Sequence, residues 1–219
     1  MQTVKPNNLV VGASGLIGRE LIAALNASGA SVLALSRRPL AFNDPRIQQH
    51  VVDFKQPWQT WSLPKAQYLY CALGTTIKTA GSQEAFRAVE FDAVIDCARA
   101  AQAAGVTRMA VVSALGASTT SNVFYSRTKG QMEDALKQIG FARLVILRPS
   151  LLTGDRASLG QAARPGELVA LAFASAFNFI TPKKYRAVSA MDVARCMIDR
   201  LVATGPVVEI IESSDIAVP

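Results

Sequence analysis

Two rhythms of apolar and polar positions alternate along the chain. Short runs rich in Val, Ile and Leu recur at 9–11, 31–35, 49–52, 68–72, 108–112, 144–147 and 207–211, and each reads as a strand. Between most of them, apolar residues return at helical spacing and predict helices over 16–28, 83–104, 124–139, 165–177 and 192–203. Strand, helix and strand in this order imply right-handed crossovers, hence an α/β chain with a Rossmann-like, doubly wound parallel sheet. Gly29, Gly105, Gly140 and Gly205 fall just past the helical runs, where left-handed cap residues are wanted. Ser189–Asp192, "SAMD", has the form of a capping box before the last helix.

A length of 219 residues, half of them apolar, suits one domain over 1–219. The pattern is less regular after Arg148, so 151–219 is expected to supply a short extension on the substrate side of the sheet. The apolar stretch 167–180 is shorter than the roughly 20 residues of a membrane span. It reads as a core helix or a pocket wall, with Leu168, Phe173 and Phe177 shaping a substrate site.

Cys71, Cys97 and Cys196 lie far apart in apolar runs, which points to buried thiols and to neither a disulfide framework nor a metal site. With no signal-peptide pattern at the start, the chain is expected in the cytoplasm. A formal charge of +7 is scattered and forms no basic stripe interleaved with aromatics, so a small polyanion is favoured over nucleic acid as its partner.

The polyanion has a place to bind. In "LVVGASGLIGREL" a strand leads through Gly12, Gly15 and Gly18 into a helix. Glycine serves there for a sharp turn, for close approach of the backbone to a pyrophosphate, and for tight helix–strand packing. The amides around Ser14, Gly15, Leu16 and Ile17 then open the helix toward the phosphates. After the second strand, "LSRRPL" offers Ser36, Arg37 and Arg38 where NAD would want a carboxylate. Guanidinium forks there suit the 2′-phosphate of NADP(H). Asp53 and Phe54 follow the third strand, where the carboxylate could accept from the adenine amine. Ala72, Leu73 and Gly74 follow the fourth, lining the cofactor with backbone, and Pro149 and Ser150 end the sixth beside the nicotinamide.

The chemistry is expected at Ser113, Tyr125 and Lys129. Tyr125 and Lys129, four residues apart, share a helix face. A hydroxyl at Ser113 could hold a substrate carbonyl while Tyr125 delivers a proton to its oxygen. Lys129 would bind the nicotinamide ribose and lower the tyrosine's pKa, which is near ~10 when free. These residues, with the glycine loop, resemble the short-chain dehydrogenase/reductase superfamily. The ordered series "LSRRPLAF", "VVDF", "CALGTT", "TSNVFYSRTKG" and "RPSLLTGDR" is similar to the Tat-interacting-protein oxidoreductases, an atypical branch.

That resemblance covers most of the chain and implies a Rossmann-like fold, NADPH binding, and either oxidoreductase activity on a carbonyl or alcohol or a non-catalytic, NADPH-binding regulatory role. Two positions depart from the pattern. Glu90 stands about where many superfamily members carry an asparagine that completes a proton relay, and Ala114 where close relatives tend to carry a second serine. His50, the single histidine, is read as structural, and Trp58–Trp61 as a loop packed on the core. The helix over 124–139 could support a homodimer.

Overall fold

The computed structural model describes residues 7–153 and 182–216. The expected helix over 165–177 and pocket residues Leu168, Phe173 and Phe177 lie outside them.

Seven parallel strands form the sheet: β1 (Asn8–Val11), β2 (Val32–Ser36), β3 (Ile47–Val51), β4 (Tyr68–Cys71), β5 (Arg108–Val112), β6 (Arg143–Arg148) and, from the carboxyl-terminal region, Val208–Glu212. The spatial order is β3-β2-β1-β4-β5-β6, closed by Val208–Glu212 beside β6. Each expected strand is present, with ends shifted by a residue or two. A small second sheet pairs β7 (Leu152–Thr153) with β8 (Val188–Ser189), which makes Val208–Glu212 β9.

Helices cover both faces. α1 (Leu16–Ala27) packs on one side, and the core there joins Ile17, Leu21 and Leu25 to Val10, Ala34 and Val145 of the strands. On the other side, α2 (Ile77–Ala80) and α3 (Gln83–Arg87) lead through a π-helical turn, Ala88–Asp92, into α4 (Ala93–Ala103). α5 (Phe124–Lys137) lies with α4 over Leu9, Val11, Met109 and Val111. Successive strand residues thus feed opposite cores, because side chains alternate across a strand. α6 (Ala190–Val202) joins the α1 face, and a last turn, α7 (Ser213–Ile216), follows β9. Residues 190–212 therefore complete the main layers. The expected capping box starts α6: the Ser189 hydroxyl accepts from the Asp192 amide at 3.0 Å.

Gly29, Gly105 and Gly140 adopt the left-handed conformation expected of helix caps, with φ of 80°, 95° and 86°. Gly205 does not. A side chain there would press on the Arg143 guanidinium, which donates to Glu209 and to the carbonyls of Arg200 and Pro206. Its glycine answers to an arginine that ties β6 to the turn before β9. The three cysteines are buried free thiols. No helix among the described residues is long and apolar enough to cross a membrane.

Candidate cofactor and catalytic site

Strand order reverses between β1 and β4, whose neighbours lie on opposite sides, so a crevice opens at their carboxyl ends. The expected site residues from Gly12 to Ser150 lie at or just after the carboxyl end of a strand, in the first turn of α1, or on α5.

The three loop glycines have three different reasons to be glycine. Gly12 has φ +84°, and a Cβ on it would meet the Ala72 carbonyl oxygen at 2.5 Å. Gly18 lies under the loop, where a Cβ would overlap the Gly12 carbonyl. Gly15 has an ordinary extended backbone, φ −82°, and a Cβ there would approach only the Gly12 carbonyl, at 3.3 Å. Gly12 thus lets the loop lie against the backbone that follows β4, Gly18 lets α1 pack on the loop, and Gly15 leaves room outward. α1 has no side-chain cap and no acidic residue in its first turn, so its leading amides and the positive end of its dipole face the crevice. An anionic diphosphate fits this end of the helix.

These differences separate two variants. Gly18→Ala should destabilise the fold by about 1–3 kcal/mol or more, as overpacking against backbone does. Gly15→Val should cost the fold less than Gly18→Ala yet weaken NAD(P)H binding more than tenfold, about 1.4 kcal/mol or above. Calorimetry and thermal melts check both. Undiminished affinity in Gly15→Val would place the dinucleotide elsewhere.

Beyond β2, Gln49 organises the arginine loop. Its amide nitrogen donates to the Ser36 hydroxyl at 2.7 Å and to the Arg38 carbonyl at 3.0 Å, and its oxygen accepts from the Leu40 amide at 3.0 Å. The Ser36 hydroxyl in turn donates to the Arg38 carbonyl at 2.7 Å, so it shapes the loop from within. Arg37 and Arg38 are exposed and form no ion pair among the described residues. Asp53 accepts from the Lys55 amide through Oδ1, which leaves Oδ2 for a further donor. Phe54 stacks edge-on against Trp61 at 5.3 Å, so the "WQTW" stretch does pack on the core. Pro149 gives its carbonyl to the Leu115 amide, and Ser150 is bonded to the Ser213 hydroxyl and the Arg186 carbonyl. Ser150 thereby fastens the end of β6 to later segments of the chain.

α5 brings Tyr125 and Lys129 to the crevice on one face. Gly130 sets how close that helix can come, since a Cβ there would strike the backbone of Ser118 and Thr119. Lys129 is 3 % exposed. Its ammonium donates to the Val112 carbonyl at 3.1 Å and pairs at 2.5 Å with Glu90, itself 1 % exposed. Burial pulls the lysine's pKa down, but the charge of Glu90, helped by Tyr125, outweighs it, and the net effect is upward. Glu90 enters the site because the π-helical turn carries it inward, and its other oxygen accepts from the Thr75 amide at 2.5 Å. The carboxylate standing in the asparagine's place is thus the buried partner of Lys129. The half-buried Tyr125 ring packs on Phe86 at 5.5 Å.

Ser113, expected to hold a substrate carbonyl, follows β5 with its hydroxyl buried and donating at 2.5 Å to Glu133, one turn beyond Lys129. Glu133 is held by Arg148 through two hydrogen bonds, at 2.6 and 3.0 Å, and Arg148 also reaches Glu212 at 2.9 Å. Ser113 therefore locks α5 to β5, β6 and β9 beneath the tyrosine and lysine. Ala114, the next position after β5, carries no hydroxyl.

The fold and crevice define an NAD(P)H-binding, Rossmann-type oxidoreductase-like protein, and the comparisons agree. Residues 12–203 match the family described as NAD(P)H-binding. The chain belongs to that family. Protein HTATIP2 of Rattus norvegicus is 31% identical over 202 residues, covering 90% of this chain and 81% of its own, which bears out the Tat-interacting-protein resemblance. "Protein fmp52, mitochondrial" of Emericella nidulans is 33% identical over 181 residues, covering 78% and 76%. Among solved structures, UDP-glucose 4-epimerase of Thermotoga maritima with UDP-glucose superposes with a TM-score of 0.70 at 16% identity, over 95% of this chain and 77% of the other. A short-chain dehydrogenase/reductase superfamily protein of Agrobacterium tumefaciens with bound NAD gives 0.68 at 16%, over 94% and 77%. At such identities these structures establish the fold.

The names of the fungal relatives overturn the cytoplasmic expectation, since they are mitochondrial proteins. That expectation rested on unpaired cysteines and the lack of a secretory pattern. Both bear on the secretory route and do not distinguish among compartments that keep thiols reduced.

Proposed function

We propose that the chain is an NADPH-dependent oxidoreductase of the short-chain dehydrogenase/reductase type, acting on a carbonyl or alcohol through Tyr125 and Lys129. The observation that carries this reading is the buried ammonium of Lys129 one helical turn from Tyr125, at the carboxyl edge of the sheet beside the crevice. Bound NADPH would supply hydride to the substrate carbon. The chain's own part is to hold the diphosphate at Gly12–Ile17, to meet the 2′-phosphate with Arg37 and Arg38, and to deliver a proton from the Tyr125 hydroxyl to the substrate oxygen. The mitochondrion is the compartment in which to seek the substrate, given the relatives' names.

A second reading has an observation of its own. The engaged Ser113 hydroxyl and the alanine at 114 remove the donors expected to hold a carbonyl, which favours an NADPH-binding regulator without turnover. Single-turnover oxidation of bound NADPH over a panel of aldehydes, ketones and quinones separates the two. Oxidation by any member supports the enzyme, and none across the panel supports the regulator.

Cofactor choice is tested separately. One charge-assisted contact to the 2′-phosphate is worth about 1.5–3 kcal/mol, so NADPH should bind roughly ten- to hundredfold more tightly than NADH. Arg37→Ser should remove most of that difference while leaving NADH affinity alone. Equal affinities in the native chain would end the NADP assignment.

A further inference from the structure

We infer that Glu90 is a positioning residue that sets how strongly Lys129 acidifies Tyr125, and that it ties this effect to the loop after β4. The inference rests on the proposed oxidoreductase reading and deepens it. Carboxylate and ammonium are 2.5 Å apart and both are buried, so water screens neither. Seen from Tyr125, the pair is closer to a dipole than to a positive charge. Glu90 is also bonded to the Thr75 amide, beside Gly74, in the stretch expected to line the cofactor. A shift of that loop would move the carboxylate relative to Lys129 and change the charge that the tyrosine feels.

The other groups facing the pair leave this role to Glu90. From β4, Cys71 is kept neutral, since burial pushes its thiol up to about 11. Val112 contributes a carbonyl from β5. Arg87, one turn earlier, is engaged with Gln131 at 2.8 Å and lies over the Phe91 ring at 4.2 Å.

The test is a tyrosinate absorbance titration of the full chain. Of four tyrosines, Tyr125 is assigned by difference against Tyr125→Phe, and burial pushes Tyr70 upward out of its range. In Glu90→Gln, below the pH at which burial strips Lys129 of its proton, the ammonium still donates to the Val112 carbonyl and acts on Tyr125 unopposed, so the Tyr125 midpoint should fall by on the order of one unit. The alkaline limb of the pH–rate profile should fall with it. Glu90→Asp, which withdraws the carboxylate by one methylene, should give a smaller fall of the same sign, and it serves if Glu90→Gln does not fold. A midpoint that is unmoved or raised in a folded variant overturns the inference, whether or not the native chain turns over. A midpoint that falls in a chain with no turnover upholds the coupling and retires the enzyme reading alone.

Discussion

Lys129→Met should lower the stability of the chain by about 3–5 kcal/mol, because it leaves the Glu90 carboxylate buried without its counter-charge. For a chain of this size, that is a fall in melting temperature of roughly 6–20 °C. The double variant Lys129→Met, Glu90→Gln should recover most of it. A neutral amide can stay buried there and still accept from the Thr75 amide, whose loss as a bonded donor would itself cost about 1–3 kcal/mol. The lysine's raised pKa fixes the pH window of the pair. Its contribution is fully present below the unfolded lysine value of 10.5 and is lost only as pH rises through the higher folded value, so melts at neutral pH read it whole. Thermal denaturation of native, single and double variants decides the matter. A single variant that melts with the native chain would mean that the pair contributes nothing net.

Such an effect was not visible in "YSRTK". The strands were legible because covered parallel strands are written as apolar runs, and the glycine loop because phosphate, turn and packing leave no other residue type acceptable. The π-helical turn was not. Helical spacing through 83–104 reads as one uninterrupted element, and the inserted residue that rotates Glu90 inward has no compositional mark. One signal was there: a single glutamate between Val89 and Phe91 in an apolar register.

The partner of Ser113 was hidden for a related reason. The serine's distance from Tyr125 in sequence suggested convergence, but the side-chain direction depended on Glu133, which shares the face of Tyr125 and Lys129 at successive intervals of four and is buried against Arg148. A buried carboxylate and arginine far apart in sequence show no pattern until the strands pair. Gly205 repeats the lesson, its place decided by Arg143 from another strand.

Tyr125→Phe should reduce turnover of any accepted carbonyl by about 10²–10⁴-fold while leaving NADPH affinity nearly unchanged. The ring meets Phe86, which also touches Phe124 at 5.9 Å, and phenylalanine keeps that aromatic cluster. Only the hydroxyl is lost, so the fall in melting temperature should be smaller than that of Lys129→Met, which strands a buried charge. The result differs in kind from that of Lys129→Met, which should weaken fold, cofactor binding and turnover together. Separation of the two patterns is what a proton donor and its buried charge require. Steady-state rates, calorimetry with NADPH and thermal melts on the same preparations measure all three quantities. Full activity in Tyr125→Phe would assign the proton to another group or to water, and leave α5 with a cofactor-binding lysine but no catalytic tyrosine.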